Sequence, residues 1–127
     1  MRRTWPIIAV SSVSESLAWY QALFGQPLAA PAHDHFGMIR DEDETVLLCL
    51  HAWGEHDHSS LFSPERGRPG NGLILFFRVP DYDEVLTRAL SLVNVLEAET
   101  QVNPGTGTRE FAIRDPDGYS VMISSLT

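Results

Sequence analysis

The chain has 127 residues, which is long enough for one domain with a sizeable hydrophobic core. Its formal net charge of -8 at pH 7 disfavours nucleic acid as a partner, because binding to phosphates requires a basic surface. Cys49 is the only cysteine, so the composition excludes an internal disulfide and a cysteine zinc cluster.

The first half of the chain predicts a strand, a helix and a hairpin. The strand covers residues 4–10 (TWPIIAV), which are rich in β-formers. The helix follows, with Ser12 and Glu15 as a capping box and Gly25 as its end. Its apolar stripe has the spacing of one helix face: Val13, Leu17, Tyr20 and Phe24. The hairpin is predicted from two further strand-like segments, 35–43 and 45–53.

The second half repeats this order after a long polar loop at 54–72. A strand rich in β-formers covers residues 73–79 (LILFFRV). A second helix covers residues 80–93, with Asp81 as its N-cap and Glu84 three residues later. Turn residues in NPGTG and DPDG then separate three closing strands, which are 96–102, 109–115 and 119–125.

The two halves also match in sequence. Residues 10–17 align with residues 79–86 at an offset of 79 − 10 = 69. Residues 39–43 align with residues 113–117 at an offset of 113 − 39 = 74. Two matches in the same order indicate a duplicated module. We therefore predict an α+β fold in which two tandem βαβββ modules of a single domain form a curved mixed sheet around a cleft, with residues 1–60 as the first half and 61–127 as the second.

Two segments carry a family resemblance: SLAWYQALFG near the start and REFAIRDPDGYSVMI near the end. Both resemble the vicinal oxygen chelate superfamily, the group of glyoxalases, dioxygenases and bleomycin-resistance proteins. The resemblance covers nearly the whole chain except residues 54–71, and it implies the same two-module fold. It implies no single activity, because this fold hosts lyases, dioxygenases, isomerases, transferases and binding proteins. Small members pair two chains, so we expect a homodimer, with Trp19 as an exposed aromatic available for the contact.

The resemblance also implies where a metal would be held. Metal-using relatives place ligands on four strands, and the matching positions here are Trp5, Leu48, Ile74 and Met122. Met122 stands where such relatives carry a glutamate. None of these four side chains can chelate a hard or borderline divalent ion, which takes imidazole, carboxylate or carbonyl ligands. We therefore expect no metal and no other cofactor at these positions.

Residues outside these four positions are further candidates for chemistry. His51, His56 and His58 form a cluster in the sequence, and a displaced metal site there would use His56 and His58 as ligands alongside Glu55 or Asp57, but solvated polar residues of a loop are the preferred interpretation. Cys49 alternates with Leu48 along its strand, so we expect it to face the helix as inert core. The sequence contains neither the G-x-S-x-G elbow of a serine nucleophile nor a phosphate loop followed by a helix. No catalytic residue is therefore predicted.

Strand alternation predicts which side chains line the cleft. The ligand-binding residues predicted in this way are Trp5, Ile7, Leu48, Leu50, Trp53, Ile74, Phe76, Arg78 and Met122. Trp53 would form part of the rim. The alternative is that the two sheets collapse on each other, which would make Trp5 and Phe76 ordinary core. Arg78 favours an open cleft, because a guanidinium group is rarely buried without a partner.

These patterns favour a metal-free protein of the bleomycin-resistance type. It would bind a small aromatic compound in an apolar cleft and sequester it without transforming it, and the acidic surface favours a cationic ligand. Antibiotic resistance or self-protection would be the role. One alternative is a glyoxalase-type lyase or isomerase that uses a displaced metal or none, and another is a structural or regulatory dimer.

The compartment is predicted from the same sequence. No apolar run approaches the roughly 20 residues that a membrane-spanning helix needs. The opening segment MRRTWPIIAV has a short apolar stretch and lacks a small-residue cleavage site, which argues against a signal peptide. We expect a cytoplasmic protein with no membrane partner.

Overall fold

The computed structural model describes residues 2–54, 59–61, 63–68 and 70–127. The chain forms two compact units. One consists of Met1–Gln21 with Pro27–Pro69, and the other of Ala22–Gln26 with Gly70–Thr127. Among the described residues, no helix combines the length and the apolar character that crossing a membrane requires.

The first unit contains a three-stranded sheet. Its strands are β1 (Ile7–Val10), β2 (Phe36–Arg40) and β3 (Val46–Ala52), and helix α1 (Val13–Leu23) follows β1. The spatial order is β1-β3-β2, with β1 parallel and β2 antiparallel to β3. The predicted cap of α1 is confirmed, because the Glu15 backbone N–H donates to Ser12 Oγ at 3.2 Å.

The second unit contains a four-stranded sheet. Its strands are β4 (Ile74–Val79), β5 (Ala98–Val102), β6 (Arg109–Arg114) and β7 (Ser120–Ser125), and helix α2 (Tyr82–Leu92) follows β4. The spatial order is β4-β7-β6-β5, with β4 parallel to β7 and the other pairs antiparallel. Between the two sheets in the sequence, the described residues of the long loop include two short 3-10 turns, Ser59–Leu61 and Pro64–Arg66.

The predicted duplication is confirmed at the level of the elements. The two helices have 11 residues each and begin at Val13 and Tyr82, which reproduces the offset of 82 − 13 = 69. Strands β2 and β6 end at Arg40 and Arg114, which reproduces the offset of 114 − 40 = 74. The fold is therefore α+β with two tandem modules. Within the described residues the first sheet has three strands where the second has four.

In each unit the helix covers one face of the sheet. In the first unit, a Cβ built on Gly37 of β2 would lie 3.2 Å from a methyl group of Val13 and 3.7 Å from one of Leu17. This close approach of helix and strand leaves little room for any residue but glycine. In the second unit, Phe111 of β6 packs edge to face on Tyr82 of α2, with 5.6 Å between the ring centroids. Each sheet therefore has a helix-covered face and an opposite face, which we call the open face.

The predicted capping of α2 by Asp81 is wrong at the level of the side chain. Asp81 occupies the N-cap position, but its carboxylate makes no capping hydrogen bond. The carboxylate instead accepts a hydrogen bond from Arg88 Nη2 at 3.0 Å. Arg88 also donates through Nε to the carbonyl oxygen of Leu23 at 2.8 Å. A cationic partner within the same helix has therefore replaced the backbone N–H groups that the sequence pattern assigns to Asp81.

The two modules share a tight turn between their last two strands. The Glu44 N–H donates to the Asp41 carbonyl at 3.0 Å, and the Gly118 N–H donates to the Asp115 carbonyl at 2.9 Å. Both donor residues are left-handed, with φ of 70° at Glu44 and 88° at Gly118. Glycine adopts this conformation readily, whereas a residue with a Cβ is strained in it.

This turn predicts opposite effects for two substitutions. A non-glycine residue in the left-handed region costs about 1–2 kcal/mol. Gly118→Ala should therefore lower the free energy of unfolding by about 1–2 kcal/mol. Glu44→Gly should raise it by about 0.5–1 kcal/mol, because relief of strain exceeds the added entropy of the unfolded chain. Urea denaturation measures both changes.

Glu42→Gly, in the same turn but outside the left-handed region, is the matched control and should be destabilising. Equal losses from Glu44→Gly and Glu42→Gly would contradict the strain at Glu44.

Candidate functional site

The candidate site is the open face of the second sheet, and strand register defines its three rows. Because strand partners point to the same side of a sheet, residues paired across β4, β7 and β6 share a face. The first row holds Ile74, Ser120 and Arg114, the second holds Phe76, Met122 and Ala112, and the third holds Arg78, Ser124 and Glu110. The prediction that Ile74, Phe76, Arg78 and Met122 share one face is confirmed.

Large apolar side chains are exposed on this face. Ile74 is 57% exposed and Phe76 is 49% exposed, whereas Leu75 between them is 5% exposed on the helix-covered face. Met122, the partner of Phe76 in β7, is half-buried. The aromatic ring of Phe76 and the thioether of Met122 thus form an apolar floor in the second row. Such a surface can hold a flat ligand through ring stacking and sulfur–aromatic contact.

The third row adds polar groups at one end of the floor. Arg78 Nη2 donates to the Leu126 carbonyl at 2.7 Å, which positions the guanidinium beside the C-terminal segment. Glu110 is only 5% exposed, and Asn103 Nδ2 donates to its carboxylate at 3.2 Å. Between them, Ser124 Oγ donates to the Ser125 carbonyl at 2.8 Å. Two strand spacings place the backbones of Arg78 and Glu110 about 10 Å apart. The third row therefore presents the guanidinium group of Arg78 and the buried carboxylate of Glu110 at separate places.

Glu110 is the functional candidate that the sequence prediction missed. The signal was present in REFAIR, where Phe111 and Ile113 are the apolar residues of a half-buried strand. Alternation then places Glu110, Ala112 and Arg114 on the opposite face, together with Met122. A buried carboxylate whose hydrogen bond comes from a neutral amide is suited to recognise a cation or to accept a proton.

The first sheet corrects part of the predicted ligand-binding set. Leu48 and Leu50 were expected on the open face, but both are fully buried on the face that α1 covers. Leu50 pairs with Gly37 and Leu48 pairs with Ile39 in β2, and Gly37 faces α1. Cys49, which was expected to face the helix, instead lies on the opposite face. There it is the register partner of Ile7, whose side chain is 46% exposed.

A β-bulge is the physical reason for this error. Ile39 pairs with Leu48 but its neighbour Arg40 pairs with Val46, so Leu47 is an extra residue in β3. An inserted residue reverses the alternation of every side chain that follows it. Strand β7 pairs with β6 without such a shift, so the expected faces hold there. Cys49 rather than Leu48 is therefore the structural counterpart of Met122.

The predicted aromatics take different environments. Trp5 precedes β1 and is more than half exposed, and Trp53 follows β3 and is half-buried. Trp19 lies half-buried in α1 and packs edge to face on Tyr20, with 4.8 Å between the ring centroids. The structure thus leaves the Trp5 ring available to a ligand within its own unit, whereas Trp19 contacts the helix core.

The donor chemistry of the family's ligand positions does not fit a hard metal ion. The bulge replaces Leu48 by Cys49, so the four positions carry Trp5, Cys49, Ile74 and Met122. Burial raises the pKa of the Cys49 thiol above its ordinary 9.0, which keeps it protonated, whereas a metal binds the thiolate. Thiol and thioether sulfur are moreover soft donors.

Only part of the predicted histidine site falls among the residues that the structure describes. His51 is buried in β3, where its Nδ1–H donates to the Ala52 carbonyl at 2.7 Å. His56 and His58 fall outside the described residues. Across residues 2–54, 59–61, 63–68 and 70–127, no three His, Cys, Asp or Glu side chains are grouped closely enough to hold a metal ion.

Comparison with known proteins gives one family and several structural neighbours. The model of the Glyoxalase/Bleomycin resistance protein/Dioxygenase superfamily matches residues 3–123. A glyoxalase / bleomycin resistance protein from Catenulispora acidiphila DSM 44928 is 21% identical, with 100% of both chains covered and a TM-score of 0.66. TioX from Micromonospora sp. ML1 is 17% identical, with 100% of both chains covered and a TM-score of 0.73. A lactoylglutathione lyase from Agrobacterium tumefaciens is 20% identical, with 98% of this chain and 93% of that chain covered and a TM-score of 0.67. No curated protein is significantly similar in sequence to this chain.

Substitutions at two adjacent residues of β4 test how much the open face contributes to the free energy of unfolding. Leu75→Ala should lower the free energy of unfolding by about 2–5 kcal/mol, because it removes buried methyl groups from the helix-covered core. Phe76→Ala should lower it by less than about 1.5 kcal/mol, because half of that ring already contacts solvent. Urea denaturation of the two variants measures the difference. A loss at Phe76 as large as the loss at Leu75 would show that Phe76 is an ordinary core residue rather than part of an exposed floor.

Proposed function

Because this chain belongs to the Glyoxalase/Bleomycin resistance protein/Dioxygenase superfamily, we propose that it binds a small aromatic compound on the open face of its second sheet without using a metal. The observation that carries this proposal is the exposure of Ile74 and Phe76 beside the polar row of Arg78, Ser124 and Glu110. Binding surfaces for small molecules combine a mostly apolar surface with a few placed polar groups in this way. An exposed apolar patch with a polar border is also the usual mark of an interaction surface.

The rows suggest the chemistry of the ligand. An aromatic ring on the floor of Phe76 and Met122 gains stacking and sulfur–aromatic contact. The third row lies two residues further along each strand, about 7 Å away. A basic substituent at that distance from the ring would approach the carboxylate of Glu110. The net charge of -8 attracts such a cation at long range, with a strength that falls as salt is added.

The proposed biological role is sequestration. A protein that holds a toxic aromatic compound, such as an antibiotic, without changing it would lower the free concentration of that compound. One of the solved structural neighbours is itself named a glyoxalase / bleomycin resistance protein. We propose that this chain sequesters such a compound in the cytoplasm.

A glyoxalase-type lyase or isomerase is the second candidate, and Glu110 is the observation that favours it. A buried carboxylate beside an apolar floor is a suitable general base for removing a proton next to a carbonyl group. A structural neighbour is named a lactoylglutathione lyase. Glu110→Gln separates the two functions, because it would abolish turnover of a carbonyl substrate but leave binding of a neutral aromatic compound intact.

Ligand binding is tested by titration with planar cationic aromatics, including glycopeptide antibiotics of the bleomycin type. Isothermal titration calorimetry should give a saturable binding curve, and Phe76→Ala should weaken binding about three- to ten-fold through lost stacking. Glu110→Gln should weaken the binding of cationic compounds more than that of their neutral analogues. Leu90→Ala is the matched control, since Leu90 is as exposed as Ile74 but lies on α2. The proposal is wrong if Phe76→Ala and Leu90→Ala bind alike, or if no compound of the panel saturates.

Metal content tests the absence of a metal centre. Protein purified without a histidine tag should contain clearly less than one equivalent of zinc, nickel, manganese or iron by mass spectrometry. Chelator should leave its thermal midpoint unchanged, because the donors at the family positions are poor ligands for these ions. One equivalent of metal that survives dialysis and is lost on substitution of His51, His56 or His58 would instead support the displaced histidine metal site.

The homodimer remains a prediction. Light scattering at micromolar concentration should give twice the mass of the 14.2 kDa chain. The expected contact is apolar, so added salt should leave the dimer intact. A mass equal to one chain across that concentration range would refute it.

A further inference from the structure

The carboxylate of Glu110 is buried without a cationic partner from its own chain. Glu110 is 5% exposed, and none of the ion pairs formed by residues 2–54, 59–61, 63–68 and 70–127 includes it. Arg78 belongs to the same row, but two strand spacings place its backbone about 10 Å away. Carboxylates are almost never buried unless they are paired. A cationic group of a ligand would therefore gain a charge-assisted hydrogen bond at this carboxylate.

The two oxygens of the Glu110 carboxylate have different surroundings. Oε1 accepts a hydrogen bond from Asn103 Nδ2 at 3.2 Å. Oε2 accepts none from the part of the chain that the structure describes, yet it is not among the buried atoms there that lack a partner. Oε2 therefore keeps contact with solvent, and a ligand can reach it. An incoming cation thus meets one accessible oxygen and one that is already hydrogen-bonded.

The turn between β5 and β6 fixes the orientation of the Asn103 amide. Asn103 Oδ1 accepts from the Gly105 N–H at 2.8 Å. The backbone of Asn103 is held as well, because its N–H donates to the Thr108 carbonyl at 2.8 Å and its carbonyl accepts from the Gly107 N–H at 2.7 Å. A flipped amide would place its NH2 group against the Gly105 N–H, so that two donors face each other. The NH2 group is therefore a fixed donor beside Glu110 Oε1.

A fixed donor at Oε1 discriminates between two kinds of cation. A guanidinium group presents two parallel N–H donors, and it binds a carboxylate best when both oxygens accept. Its second donor would here meet the NH2 group of Asn103, which is also a donor. An ammonium group is compact, and it can donate to Oε2 alone while its other N–H groups remain in solvent. Selectivity of this kind arises from the element that disfavours the wrong ligand.

We propose that the open face of the second sheet selects ligands that carry an ammonium group over ligands that carry a guanidinium group. Asn103 imposes this selectivity because its NH2 group occupies Glu110 Oε1. The inference rests on the proposed function, since it specifies the cation that accompanies an aromatic ring on the floor of Phe76 and Met122. Asn103 acts through Glu110 and is therefore a positioning residue.

Three probes with the same ring and the same linker test the selectivity: phenylpropylamine, phenylpropylguanidine and phenylpropanol. Their linker suits the roughly 7 Å between the second and third rows. Two-dimensional NMR titration of the whole chain gives the dissociation constants, which should be millimolar for such small compounds. The amine should bind the wild type about three- to ten-fold more tightly than the guanidine, which is the effect of one hydrogen bond. The alcohol should bind more weakly than the amine, because it has no charge.

Asn103→Ser tests the role of the amide. It removes the NH2 donor but keeps a side-chain oxygen that can accept from the Gly105 N–H, as serine does in such turns. The preference for the amine over the guanidine should disappear, because both oxygens of Glu110 become available. A merely structural change in the turn would weaken all three probes alike and leave their ratio unchanged. Asn94→Ser is the matched control, since Asn94 is an exposed asparagine that follows α2, and it should keep the wild-type ratio.

The outcomes separate this inference from the proposed function. Equal affinities of the amine and the guanidine in the wild type overturn the inference, as does an unchanged ratio in Asn103→Ser. In both cases an amine that binds more tightly than the alcohol leaves the proposed function standing. An alcohol that binds as tightly as the amine refutes the recognition of a cation by Glu110, and with it the inference. Absence of saturation by all three probes refutes the proposed function and the inference together.

Discussion

One helix can cover only one face of a sheet, and this constraint governs both units of the protein. In the second unit, α2 buries the face that carries Leu75, Val121 and Ile123, while the opposite face keeps Ile74 and Phe76 partly in solvent. Strand alternation makes this division unavoidable, because every second side chain of β4 points away from the helix. An apolar surface that contributes little to the core of its own unit is then available for binding. The candidate site thus follows from how the module is built, with no special loop or strained residue required.

The chemistry of that surface depends on which polar groups the strands bring to it. Arg78, Ser124 and Glu110 come from three different strands and are joined in one row only because β4, β7 and β6 keep an unbroken register. Glu110 is the most consequential of them, since a buried carboxylate can either hold a cation or take up a proton. The two proposed functions therefore assign different roles to this residue.

The two modules are built from equivalent elements but differ at single positions that change the chemistry of their faces. Both use a turn with a left-handed residue before the last strand, yet one has Gly118 there and the other has Glu44. Both pair their last two strands, yet only the first contains a bulge at Leu47. That single extra residue places Leu48 on the face that α1 covers and Cys49, which is also buried, on the opposite face. The two open faces consequently have different chemistry, although the elements that form them are equivalent.

The sequence by itself determined the α+β class, the two modules and their offsets, because periodicity, turn residues and caps are local signals. It also determined the faces of β4 and β7, where alternation is uninterrupted, and hence placed Ile74, Phe76, Arg78 and Met122 together. Only the tertiary structure decided the faces of β3, because a bulge is defined by pairing with β2 and leaves no local mark on the sequence. It likewise decided that Asp81 binds Arg88 rather than the helix end, and that the Tyr82 hydroxyl is buried with no hydrogen-bond partner in the part of the chain that the structure describes. Pairing, burial and competition for hydrogen bonds all depend on residues that are distant along the chain, and strand or helix periodicity carries no information about them.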